Sequence, residues 1–122
     1  MARLESYRDL TVWQKSMDLA AQIYALTAAF PKSEEFRLSS QMIRAAISIP
    51  ANIAEGSMRS TRKDYARFVG IARGSTAELS TFLMLAARID LGPKEEATAA
   101  LSLCEEVGRM LTALHARLKS DL

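Results

Sequence analysis

Ten positions between residues 65 and 89 restrict this chain more than any other feature. Tyr65, Phe68, Val69, Ala72, Thr76, Leu79, Phe82, Leu83, Ala86 and Ile89 keep the period of an α-helix over about seven turns. That spacing gathers them on one helix face, whereas a strand would scatter them over both faces of a sheet. The helix starts near Ser60 or Thr61. With Thr61 as N-cap, Asp64 stands at the third helical position, a weak form of the capping box. Leu91-Gly92-Pro93 then reads as a stop followed by a start.

The same period recurs on both sides. Residues 11–30 carry two adjacent apolar stripes: Trp13, Met17, Ala20, Tyr24 and Thr27 beside Val12, Leu19, Ile23, Leu26 and Phe30. Such an arc is wider than one core contact requires. Pro31 ends this helix by disfavouring helical geometry at Phe30. Ser33 is a suitable N-cap for the next segment, with Glu34 and Glu35 at its positive end. Phe36, Ile43, Ala46, Ile47, Ile53 and Ala54 continue the pattern to Gly56, which reads as a left-handed C-terminal cap. Pro50 interrupts, either as a kink in one helix or as the junction of two at Ile49-Pro50. The period resumes in register, which favours the kink. Residues 93–118 place Ala97, Ala100, Cys104, Val107, Leu111, Leu114 and Leu118 on a fourth stripe.

Only three prolines and five glycines punctuate 122 residues, and most other positions hold residues that lose little entropy in a helix. Four long helices with three short connections give an all-α, antiparallel up-down-up-down four-helix bundle, one domain over residues 1–122. Residues 1–9 read as a short polar arm. The opening MARLESYRDL lacks the apolar core of a signal peptide, and the longest uncharged run, residues 19–31, is too short for a membrane span. Cys104 is the only cysteine, so no internal disulfide forms. These points predict a cytoplasmic protein with no membrane partner.

Composition excludes most chemistry. A di-metal carboxylate bundle needs Glu-x-x-His on two helices, yet the only histidine, His115, follows Thr112 at that spacing. One Cys and one His do not make a zinc site. Cys104 lies on the core stripe, where a thiol is an inert packing group. No metal, cofactor or catalytic residue is expected, and an enzyme is not.

Two polar constellations stand out. Arg44, Ser48, Asn52 and Glu55 fall on one helix face. They are either an exposed stripe or a partly buried network of Arg44, Asn52 and Glu55, with Glu78 adjoining from the next helix, since charges tolerate burial only when paired. Gly70, Gly74 and Ala77 form a smooth strip beside Glu78, suited to close helix approach within or between subunits. The second constellation is cationic. The net charge is only +2, but residues 58–90 hold six cations against three anions. Arg59, Arg62, Lys63 and Arg67 surround the start of the third long helix, where cations oppose the macrodipole. Such a cluster is either a solvated helix end or a phosphate-binding patch for RNA or DNA.

SIPANIAEG at residues 48–56, RKDYARF at residues 62–68 and ARGSTAEL at residues 72–79 resemble the four-helix bundle family first noticed in intervening sequences of 23S ribosomal RNA genes. LTVW at residues 10–13, Phe30-Pro31 and RML at residues 109–111 extend the resemblance over nearly the whole chain. The resemblance implies a cytosolic, non-enzymatic bundle that assembles as a homopentameric ring. It also implies kinship with the basic pentameric accessory proteins of diversity-generating retroelements, which engage nucleic acid and a reverse transcriptase. Two functional classes follow: a nucleic-acid-associated accessory protein, or an interaction scaffold that binds a protein partner and no nucleic acid.

Overall fold

A computed structural model describes residues 6–120. Four helices build it: α1 (Thr11–Ala28), α2 (Ser40–Ser57), α3 (Arg62–Arg88) and α4 (Lys94–Ser120), with no strand among the described residues. Each helix packs on its chain neighbours, and α4 closes back on α1. Residue pairs fix the antiparallel sense. Ser48 meets Ser75 while Gly56 abuts Phe68, Thr76 meets Cys104 while Arg62 reaches Arg117, and Lys15 pairs with Glu106. The core runs down the centre from Leu19, Ile23, Met42, Ile49, Ile53, Val69, Leu79, Leu83, Val107 and Leu111.

Of the polar arm, residues 1–5 lie outside the described residues. Ser6 caps a 3-10 turn, Tyr7–Asp9, by accepting from the Arg8 N–H at 2.9 Å. Helix α1 buries one of the two stripes read from its sequence and divides the other, of which Ala20 and Thr27 are buried. Val12, Leu19, Ile23 and Leu26 are buried, whereas Met17 is 46% and Tyr24 54% exposed.

The second segment departs most from expectation. Ser33 does not start a long helix. A 3-10 turn, Lys32–Glu34, leads into a π turn, Glu35–Ser39, where Arg37 leaves helical geometry (φ −109°, ψ −105°). Phe36 is turned out of the core by this break and is 88% exposed. Helix α2 then passes Pro50 without interruption, so the chain does not divide into two helices at Ile49-Pro50.

Gly56 is not a left-handed cap either. It lies inside α2, whose C-cap is Met58, and its backbone φ is not positive. A β-carbon there would stand 2.7 Å from Phe68 Cβ and 3.1 Å from Tyr65 Cδ1, so the glycine is required by close approach of α3. Thr61 caps α3 as its sequence predicts, accepting from the Asp64 N–H at 3.1 Å. At the other end Asp90 and Gly92 take positive φ (59° and 74°), and Leu91 N–H returns to Ala86 O at 2.9 Å. That pattern stops α3 and seats Gly92 against the Phe30 ring.

Candidate functional site

The cationic turn between α2 and α3 is built around one aromatic ring and one carboxylate. Phe68 is buried, and the Arg59 and Arg67 guanidinium carbons lie 4.8 and 4.5 Å from its ring centroid. Both guanidinium groups also approach Asp64, Arg59 Nε at 3.9 Å from Oδ2 and Arg67 Nε at 3.7 Å from Oδ1. Thr61, by capping at Asp64, fixes where that carboxylate stands. Arg62 extends across the bundle and donates to the Arg117 carbonyl at 3.2 Å, near the C-terminal end of α4 where a cation complements the negative end of the dipole. Lys63 is exposed and makes no ion pair among the described residues. The four cations share one end of the molecule, but three of them contact the protein. Tyr65 packs under this end. Burial pushes its hydroxyl pKa above the usual value, partly offset by Arg117.

The polar face of α2 is not a charge network within the chain. Arg44, Glu55 and Glu78 are exposed, and no ion pair joins them. Only Asn52 turns inward. Its amide donates to Ser48 O at 2.8 Å and Ser48 Oγ at 3.0 Å, and Ser48 Oγ meets Ser75 Oγ at 2.8 Å. The element that links α2 to α3 is therefore Ser48–Asn52–Ser75. Ser75 was hidden from sequence reasoning because its partner lies 27 residues away. Arg44 and Glu55 face outward because Ile49 and Ile53 occupy the inward positions between them.

The smooth strip of α3 has a different use from the one expected within the chain. A β-carbon on Gly74 would meet nothing within 4 Å. Gly70 faces His115, whose Nε2 would lie 3.4 Å from a β-carbon there. The close α3–α4 contact comes instead from Gly108, whose β-carbon would stand 3.3 Å from Thr76 Oγ1. Cys104 is buried and donates to Thr76 O at 3.3 Å. Burial, aided by Glu105 and opposed by a backbone bond from Ser80, pushes its pKa up to about 11, so it stays a protonated thiol. Among the described residues no three His, Cys, Asp or Glu side chains gather to hold a metal. Among the described residues no helix is long and apolar enough to cross a membrane.

The feature that sequence reasoning reached only in outline is the outer surface of α1 and α2. The exposed stripe of α1 and the outward side of α2 form two adjoining grooves. One, of about 470 Å³, is lined by Trp13, Met17, Tyr24, Ile47 and Pro50. The other, of about 700 Å³, runs from Tyr24 and Phe30 to Phe36, Ile43 and Ile47. Tyr7 packs edge-on against Trp13 with ring centroids 5.4 Å apart and closes one end. The wide apolar arc of residues 11–30 signalled this surface. Phe36 gave no such signal, because its spacing matched a core position.

A solved structure of a protein of unknown function from the S23 ribosomal protein family of Bacteroides thetaiotaomicron superposes with a TM-score of 0.77 at 26% identity. The match covers 86% of this chain and 98% of that one. No curated protein matches the chain significantly. The profile of the 23S rRNA-intervening sequence protein family matches residues 8–113, and the chain belongs to that family.

Proposed function

We propose that this protein works by binding rather than by catalysis, as a cytoplasmic homo-oligomeric four-helix bundle that serves as an interaction scaffold. The observation that carries this reading is the apolar face of α1 and α2. Tyr24, Ile47 and Phe36 are all exposed there in one chain, and contiguous apolar surface of that kind marks an interaction site. A second, separate set is exposed along α3 and at its C-cap: Ile71, Met84, Leu85 and Ile89. Two different apolar faces suit a head-to-tail contact, which generates a closed ring when the rotation closes. Five subunits is the number that the family resemblance implies. Pro50 lines the α1–α2 groove, and a bend there would shape the face offered to a neighbour. Light scattering on the purified chain tests the assembly. A mass near five times 13.4 kDa is expected, and a mass near 13.4 kDa refutes it.

A second reading, a nucleic-acid-associated accessory protein akin to those of diversity-generating retroelements, is favoured by Lys63, which is exposed beside Arg59, Arg62 and Arg67. Five copies at +2 each would carry about +10, a modest field for a polyanion. RNA and DNA binding that falls steeply with salt and weakens in Arg62→Ala and Lys63→Ala supports it. No binding at low salt removes it and leaves the scaffold.

A further inference from the structure

We infer that Arg73 and Arg109 bind a phosphate-type anion in the groove between α3 and α4, with His115 holding Arg73 beside it. The inference is independent of the assembly proposed above. The groove measures about 700 Å³ and is lined by Gly70, Arg73, Gly74, Gly108, Arg109 and Thr112.

The first argument is charge. Arg73 is partly buried, and its recorded side-chain partner is a base, not an acid: Nη1 lies 3.3 Å from His115 Nδ1. Neither Arg73 nor Arg109 pairs with a carboxylate among the described residues, whereas Lys15, Arg37, Arg59 and Arg67 all do. A guanidinium held partly out of water without a counter-charge is electrostatically incomplete.

The second argument is donor geometry. Guanidinium can only donate, so Nδ1 accepts and the ring proton sits on Nε2. That nitrogen lies over Gly70, 3.4 Å from where a β-carbon would stand. His115 therefore takes up one Arg73 nitrogen and leaves the other guanidinium N–H groups for a ligand in the groove that Arg73 lines. Arg109 adds a second guanidinium to the groove from α4. Lys119 adds positive potential at the His115 end, since it and Arg73 both disfavour a charged ring.

The third argument is access. The groove floor is glycine, and Gly74 has nothing within 4 Å of its missing β-carbon, so a ligand can reach backbone depth. Glu105 also lines the groove, ten residues from His115 on the far side of Arg109. It repels an anion from that end and leaves the part above Gly70 and Gly74 for a compact group held by Arg73 and Arg109. A phosphate, with several acceptor oxygens and fork-matching geometry, fits those donors.

His115 is the only histidine, so its ring signals report on the site without ambiguity. The full chain is titrated with inorganic phosphate at low salt while the imidazole is followed by NMR. Saturable ring shifts are expected, with the His115 pKa rising by about one unit as the anion binds beside it. Arg73→Gln should weaken the response at least about tenfold. Gly74→Asp, which places a carboxylate in open groove, should abolish it with helix content unchanged. A short oligonucleotide that competes with phosphate identifies phosphodiesters as the source. One that does not compete identifies free phosphate or a small phosphorylated molecule. A ring that does not respond to phosphate, or that responds equally in Arg73→Gln and Gly74→Asp, overturns the site.

Discussion

On its α2 side, helix α3 comes so close that a β-carbon on Gly56 would stand 2.7 Å from Phe68 Cβ. On its α4 side, the space above Gly74 is empty to 4 Å. Both glycines lie in helices and both stand between a charged residue and a serine in sequence, yet one marks a seam and the other a groove. The seam is completed by the Ser48–Asn52–Ser75 bonds and by Arg59 and Arg67 over Phe68. The groove is lined by two arginines without a carboxylate partner, one of them held by His115. A glycine in a helix therefore signals that something needs its missing side chain, without saying whether that is a neighbouring helix or open access.

Substituting the two glycines should break this comparison in opposite directions. Gly56→Ala forces a β-carbon into Phe68 Cβ, which cannot rotate away. Overpacking of this kind costs about 1–3 kcal/mol, only partly offset by the better helix propensity of alanine. Gly74→Ala meets no atom and should gain up to about 1 kcal/mol from propensity alone. Urea unfolding of both variants gives the two signs. A stabilised Gly56→Ala would show that the seam is looser than described. A Gly74→Ala that instead lowers the oligomer mass would show that the groove is covered by a second copy.

The groove also predicts a pH effect. Burial first, then Arg73 and Lys119, hold the His115 pKa below its ordinary 6.5. As pH falls through about 6.5, the unfolded chain takes up a proton that the folded chain resists. Stability should therefore decline from about pH 7.5 towards the lower folded value, and be level with respect to this group above 7.5. Urea midpoints at several pH values test this, with His115→Gln expected to flatten the decline. The smallest effect belongs to the outer face of α2. Glu55→Gln should change unfolding free energy by less than about 0.5 kcal/mol, the range of an exposed site. A larger loss in the assembled protein would place Glu55 in a subunit contact.

Much of the architecture was legible from periodicity. The stripes of α1, α3 and α4, the Thr61 cap and the stop at residues 90–92 all follow from rules that act within a few residues. The second segment was not, because its π turn at Arg37 depends on how the α1–α2 connection meets the bundle. Phe36 kept helical spacing and still went outside, since spacing does not register a local break. The candidate sites divide in the same way. Arg59, Arg62, Lys63 and Arg67 were found together by adjacency. The Arg73–His115 pair joins residues 42 apart, so nothing local could announce it.

By itself the sequence determined helix content, chain order, the apolar surplus on α1 and the family, because each depends on local pattern or on motif. Only the tertiary structure decided that Asn52 bonds to Ser48 while Arg44 and Glu55 stay outside, that Gly56 is a contact rather than a cap, and that Gly74 opens a groove. Those outcomes depend on helix rotation and separation, which are set by how four large side-chain surfaces fill one core.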